Sequence, residues 1–498
     1  MRTEAASNSL TSPTVALGRK LALNYGLLLG GEMLAKVGSF VAFTYLARTL
    51  GPSGYGALEF TVALMIFFSL VIAGGMDEYG TRELARGEVD PKQLAGDVIV
   101  LRTLMMGISL LGLLALVWGM IQSTQEALLI LTFGASLILA PVLPQWFFQG
   151  HERMSWIGGL SAVRQAVFAL LVLFLFTDKT PLYRLGLFEC TAVGVVVALG
   201  AFGLRRSLGF SRPAFSFDAA RLWRRFVAAA PISLSHVTWA GLWHFPTLVL
   251  GLWGTSAALG LFGAAHRITI ALHTFVWLYF VNLLPSISRA VRADRDTETG
   301  TTANLLQSSL HVTAWSGFFV ALVGIVCSGI VIRLAFGSQF TLAAPILSIL
   351  ILVIPATLIS GNFRYVLIAA DKQRDLFLCS LQASIATAIL AAVLIPVFGG
   401  IGAACALLGG SVLLLIQGYF VAAKCIEGKL NIRSSCGRPA IVFAFSLLLF
   451  AALKSMSVNP LLAIGVPPAL FLAILFILER KFLTETLPST LRLARGAA

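Results

Sequence analysis

Apolar positions in this chain do not alternate; they run. Stretches of about twenty residues, each long enough to cross a hydrocarbon layer about 30 Å thick, recur from one end to the other. Short turns rich in Gly, Pro and charge separate them. Hydropathy read with those breaks predicts about fourteen helical spans. They fall near 22–47, 56–75, 96–120, 126–147, 155–177, 185–204 and 226–252, then near 256–286, 306–336, 342–369, 376–398, 401–423, 440–457 and 461–479. A bilayer offers the backbone no water, so such runs must be helices that satisfy their own N–H and C=O groups. The predicted fold class is an all-α polytopic membrane protein.

Composition agrees, and charge adds orientation. Of 498 residues, 58% are hydrophobic and 12% charged, where a soluble domain has about 25% charged. A net charge of +14 would suit nucleic acid if it formed a basic stripe with interleaved aromatics, but the Lys and Arg sit in turns beside the spans, so no nucleic-acid partner is expected. If the N-terminus is cytoplasmic and the spans alternate, one cytoplasmic loop holds Arg205, Arg206, Arg212, Arg221, Arg224 and Arg225. The opposite side keeps only Arg48, Lys179, Arg184, Arg333 and Lys454. This asymmetry predicts that both termini are cytoplasmic. Met1–Ser12 lacks a charged-then-apolar pattern with a small-residue cleavage site, so no cleaved signal peptide is expected. The six cysteines form no CxxC pair and read as small core residues, not as disulfides or zinc ligands. The loops, including 205–225 and 287–305, are too short to fold alone. Function must sit among the helices.

The turns repeat. "LGPSGYG" (50–56) follows the first span and "LWGTSAALG" (252–260) the seventh, pairing Gly51 with Gly254 and Gly56 with Gly260. "FFQGHERM" (147–154) follows the fourth and "LIAADKQR" (367–374) the tenth. Six spans per half is an even number, which makes the halves parallel repeats about an axis along the membrane normal. The predicted organisation is an N-terminal tail (1–20), a six-span lobe (21–204), a basic linker (205–225), a second six-span lobe (226–424) and two C-terminal spans with a tail (425–498). Two such lobes enclose a central cavity.

Charges at membrane depth are the candidate chemistry: Glu32, Lys36, Glu59, Arg102, Arg164, Glu189, Arg267 and Arg364. A central charge costs about 2.5–3.5 kcal/mol to insert, so such residues face a cavity or a partner. In "GGEMLAKVGSF" (30–40), Glu32 and Lys36 stand one turn apart in the favourable acid-first order. Either they neutralise each other, or they line a wet cavity where Lys36 meets an anionic head group; both can hold at once. The Gly30–Gly31 pair before them allows a close helix approach or a bend. Arg164 and Arg267 carry guanidinium forks that match phosphate oxygens, with snorkelling to an interface as the alternative. Arg102 and Arg364 are expected to snorkel and Glu189 to be an interface residue, while Glu59 is either an interface residue or faces a cavity or partner. His266, His273 and Trp277 share one helix face, as do His236 and Trp243, with His244 alongside; they could touch sugar rings, bind a proton, or simply pack. No HxxxH pair or nearby Cys suggests a metal. Asp77, Glu78, Arg82 and Arg86 end the second span, as a solvated helix end or a gate.

Three segments also resemble a known family. "YLARTLGPSGYGALEFTVALMIFFSLVIAGGMDEYGTRELAR" (45–86), "QWFFQGHERMSWIGGLSAVRQ" (145–165) and "AADKQRDLFLCSLQASIATAILAAVLIPVFGGIGAA" (369–404) look like Wzx-type polysaccharide flippases of the multidrug/oligosaccharidyl-lipid/polysaccharide (MOP) superfamily. The resemblance covers roughly residues 20–425. It implies a two-lobed bundle in the inner membrane that moves a polyprenyl-diphosphate-linked oligosaccharide by alternating access, without a cofactor, with a polysaccharide polymerase or ligase as partner. The same superfamily holds multidrug extruders, so a cation-coupled exporter is the alternative. An extruder would favour unpaired acids in its cavity; a diphosphate carrier would favour excess base. A membrane glycosyltransferase or polymerase would need a larger folded loop. The "DRD" at 294–296 lies in an isolated polar loop, and "GGIGAA" (399–404) joins two spans where a phosphate loop would join a strand to a helix.

Overall fold

The computed structural model describes residues 13–121, 123–210, 212–297, 300–426, 430–456 and 459–480, and these are helical with no strand among them. Most of the predicted N-terminal tail lies outside the described residues. Twelve helical stretches are long and apolar enough to cross a membrane. The first, Gly30–Arg86, runs 57 residues, about 85 Å at 1.5 Å per residue, and holds the first two predicted spans. Helix α1 (Pro13–Ala73) is continuous across them but breaks at Gly51 (φ 67°, ψ 178°). Gly51 takes a φ that side chains resist, and Pro52 has no N–H to give the preceding turn. The span predicted at 226–252 is a helix, α8 (Ala219–Trp253), but it is not among the twelve. The protein is a multi-pass membrane protein.

After α1, a Gly74–Gly75 turn leads to α2 (Met76–Arg86). Helix α3 (Pro91–Met120) starts with Pro91 in its first turn and Asp90 accepting from the Lys92 N–H at 3.1 Å, the cap-and-proline start that satisfies orphan donors. The fourth predicted span is not one helix. It is α4 (Thr124–Ala135), a 3₁₀ segment (Ser136–Val142) and α5 (Gln145–Gly150), because Pro141 and Pro144 each withhold a ladder N–H. Then come α6 (Met154–Leu175), α7 (Arg184–Leu208), α8, α9 (Ser256–Thr297) and α10 (Thr301–Phe336). The tenth predicted span is broken too, into α11 (Ala343–Leu350) and α12 (Val353–Ala369), with Pro355 in the first turn of the second piece. Helices α13 (Gln373–Phe398), α14 (Gly400–Ala422), α15 (Arg438–Ser455) and α16 (Pro460–Leu478) complete the chain. The fourth and tenth predicted spans are thus both interrupted.

The chain forms two compact units. The first holds the described residues up to Thr49 together with Leu64–Val237; the second holds Leu50–Ala63 and the described residues from Thr238 onward. The division thus falls inside α8, past the basic linker. The end of that linker is clasped to α3. Asp97, fully buried, accepts from Arg221 Nε at 2.8 Å and Nη2 at 3.2 Å, and lies 3.1 Å from Arg225 Nε. Asp218 caps α8 by accepting from the Arg221 N–H at 3.1 Å, and that bond chiefly holds its carboxyl below the usual range. The first unit's core packs Met76, Leu94, Val98 and Leu101 with Trp146, Phe147 and Ala229. A Cβ at Gly31 would overlap the backbone of Gly158, so the glycine before Glu32 serves a close approach of α1 to α6.

In the second unit the two repeated glycine turns meet. A Cβ at Gly56 would overlap the Ser256 carbonyl, and one at Gly260 would overlap the Pro52 carbonyl. Each turn lies in the crevice that the other's glycine leaves. Behind this crossing, Tyr55 packs edge-on to Phe340, centroids 5.8 Å apart. Helices α15 and α16 pack on α10 through Trp315, Leu322, Val442 and Phe471, and His311 Nε2 meets Glu479 Oε2 at 2.9 Å.

Candidate functional site

The two halves of α8 and α9 carry a ladder of aromatic side chains in the second unit. Trp239 and Trp243 are one turn apart with ring centroids at 6.4 Å, and Trp243 lies 4.4 Å from the His273 ring. Trp277, one turn beyond His273, is 47% exposed. Opposite them stands α12, which brings Thr357, Ser360 and Arg364 to the same space. Together with Tyr365, also of α12, and Ser380 of α13 they line an open recess. Tyr365 is held by stacking on Phe280, centroids 5.1 Å apart. No carboxylate lines this recess. Arg364 is solvent-exposed and has no ion pair among the described residues. Hydroxyls, indole faces and one guanidinium fork therefore face a common volume. Such a wall accepts an anion through the fork and the weakly positive C–H faces of a sugar through the negative faces of the indoles.

Arg364 was expected to snorkel; it lines the recess instead. Hydropathy could not show this, because an arginine in an apolar helix looks alike whether it climbs to the interface or borders a cavity. His273 and Trp277 of the predicted stripe do line the recess. His266 does not: it is 4% exposed, stacked on Phe262 at 5.3 Å and edge-on to His244 at 5.6 Å. Nor does Arg267, which is engaged deep in the unit. Its Nε donates to Glu59 Oε1 at 2.9 Å and to the Tyr55 hydroxyl at 3.0 Å, and its Nη2 donates to Glu59 at 2.6 Å. Glu59 is 7% exposed, so of its two readings the buried partner holds and the interface residue does not.

The remaining candidates belong to the first unit. Lys36 is exposed and Glu32 half-buried; no ion pair joins them among the described residues. Arg164 Nε donates to Glu189 Oε1 at 3.1 Å, so Glu189 too has a partner. Arg164 keeps 45% of its side chain exposed. His236 Nε2 lies 3.5 Å from Glu78. Arg102, also expected to snorkel, is 2% exposed and meets Asp77 Oδ1 at 2.6 Å through Nη2. Its Nη1 donates to the Leu143 carbonyl at 3.5 Å, which the break in the fourth span leaves free. Of the gate trio, Asp77 is thus bound to Arg102 and Glu78 to His236, while Arg82 lies 3.5 Å from Glu83 and over the Tyr79 ring at 5.6 Å. All six cysteines are free. Among the described residues no group of three His, Cys, Asp or Glu is placed to hold a metal ion.

Residues 21–291, more than half of the chain, match the family model described as polysaccharide biosynthesis protein. The chain belongs to the polysaccharide biosynthesis protein family. This family member is similar to the "Putative O-antigen transporter" of Escherichia coli K12, at 24% identity over 330 residues that cover 62% of this chain and 74% of that protein. Its fold is shared with a lipid flippase and a multidrug transporter of known structure. The lipid II flippase MurJ in an inward-closed conformation superposes with a TM-score of 0.73 at 14% identity, over 92% of this chain and 99% of that one. An inward-facing multidrug resistance MATE transporter gives 0.62 at 13% identity, over 80% and 97%.

Proposed function

We propose that this protein is a flippase that carries a polyprenyl-diphosphate-linked oligosaccharide across the inner membrane by alternating access, for polysaccharide assembly, with both termini cytoplasmic. The observation that carries the reading is the recess of the second unit, where an unpaired Arg364 stands among tryptophans with no acid on the wall. An exporter of organic cations needs a carboxylate there. In the first unit, exposed Lys36 and half-exposed Arg164 are the groups that would meet the diphosphate, with Glu189 holding Arg164 until substrate replaces it. His273, Trp239 and Trp277 would stack on the sugars. Arg267 and His266 position this wall from behind, and Asp77, Glu78 and Arg82 border the way in. A polymerase or ligase acting on the delivered glycan would be the partner.

The test is transport of the lipid-linked glycan, normalised to protein in the membrane, in cells whose own copy is deleted. A charge-assisted hydrogen bond is worth about 1.5–3 kcal/mol, roughly tenfold to a hundredfold in affinity. Arg364→Ala should lower flux by that order at limiting substrate, and Arg364→Lys should recover part of it. Full flux by Arg364→Ala at normal expression refutes the assignment, and protection from cationic dyes without glycan transport refutes the function.

A further inference from the structure

The first unit holds a second recess, and nothing in the transport reading uses it. It is an open groove that lies where the fourth span breaks. Pro141 and Pro144 turn the chain there, and the neighbouring α3 and α7 do not close the gap. Its wall is apolar, from Ala95, Ile99, Leu143, Phe147 and Ala201 to Leu204 and Phe210, with one charge, Arg205. Arg205 and Arg206 form the last turn of α7, and Arg212 follows two residues after Phe210. None of the three has an ion pair among the described residues, whereas Arg221 and Arg225 of the same linker are committed to Asp97. An apolar slot in a membrane protein with an unpaired guanidinium, Arg205, on its wall and two more nearby in the chain matches a molecule that is apolar along its length and anionic at its head.

We propose that this recess binds an anionic glycerophospholipid, with an acyl chain along Ile99, Leu143 and Ala201 and the phosphate at Arg205, assisted by Arg206 and Arg212. Charge complementarity selects the occupant. A phosphodiester fits the guanidinium fork, and basic pockets beside membrane helices on the side rich in Lys and Arg take such head groups. Zwitterionic lipids would bring their own cation to a site that already holds several. The ordinary roles of these arginines, complementing the α7 C-terminus and fixing topology, require neither the slot nor a lipid.

The experiment uses the full-length protein in detergent, with retained lipid counted by native mass spectrometry after incubation with dioleoylphosphatidylglycerol or dioleoylphosphatidylcholine. Wild type should retain phosphatidylglycerol at least tenfold over phosphatidylcholine. The Arg205→Gln, Arg206→Gln, Arg212→Gln triple variant should lose that preference by tenfold to a hundredfold, on the order of fivefold for each basic residue removed. Ala201→Phe, which keeps every arginine and fills the slot, should lose retention as well. Variants are compared at wild-type thermal midpoint, and Arg205→Gln alone serves if the triple variant does not fold. Equal retention of the two lipids, or unchanged retention by Ala201→Phe, overturns the site. Competition by free glycerol phosphate overturns it in favour of a bare phosphate site. Displacement by a polyprenyl diphosphate at stoichiometric concentration assigns the slot to the transported substrate and also overturns it.

Discussion

The Glu59–Arg267 pair allows the sharpest prediction, because it separates a residue that holds the fold from one that meets substrate. Arg267 makes three hydrogen bonds, two to Glu59 and one to Tyr55, with side chains only 18% and 9% exposed. Removing one member of a buried pair strands the other charge and costs about 3–5 kcal/mol, whereas replacing both by apolar groups of similar size is close to neutral. Glu59→Gln and Arg267→Met should therefore each destabilise by about 3–5 kcal/mol, and the double variant by far less than their sum. Tyr55→Phe, which removes one hydrogen bond to a charged group, should cost less, about 1.5–3 kcal/mol. Arg267→Lys loses the fork but keeps a cation opposite Glu59, so it should destabilise less than Arg267→Met. The assay is equilibrium unfolding in mixed micelles, arranged as a double-mutant cycle. Single variants that cost under about 1 kcal/mol, or that add without coupling, would refute the reasoning. So would a loss of glycan affinity in Arg267→Lys at wild-type stability, which would return Arg267 to the substrate.

Three further outcomes are expected. Gly56→Ala and Gly260→Ala should each cost at least about 1–3 kcal/mol, since the added methyl meets backbone that cannot yield; Gly54→Ala, whose Cβ meets only the Leu50 side chain, should be neutral by the same unfolding assay. Asp97→Asn should strand the buried Arg225 guanidinium and leave Arg221 to Asp218, cost about 3–5 kcal/mol and open the linker to protease, while Arg224→Gln at an exposed position should leave the proteolysis pattern unchanged. Glu32→Gln with Lys36→Gln should leave insertion and stability near wild type and lower glycan flux; wild-type flux from the double variant would remove Lys36 from the substrate path.

How far the sequence carried depends on whether a property is local. The spans were legible because lipid demands apolar runs of one length, and the prolines at 141 and 144 stood in plain view. The helical break they cause follows from the missing N–H groups. What escaped was pairing across distance. Arg102, Arg267 and Arg364 are each a lone arginine in an apolar run, with nothing nearby to tell them apart. Asp77 buries the first, Glu59 and Tyr55 bury the second, and only the third is left to a cavity. Each carboxylate comes from a different helix than its arginine, so no spacing rule reaches it. The glycines show the same limit in another form. Gly56 and Gly260 could be matched as equivalent turns, but that each packs into the space the other lacks is a fact about two helices crossing. A charge at membrane depth is therefore a question that hydropathy poses and packing answers: where a partner stands within hydrogen-bond reach, the charge holds the fold, and where none does, as at Arg364, it stands open to the recess.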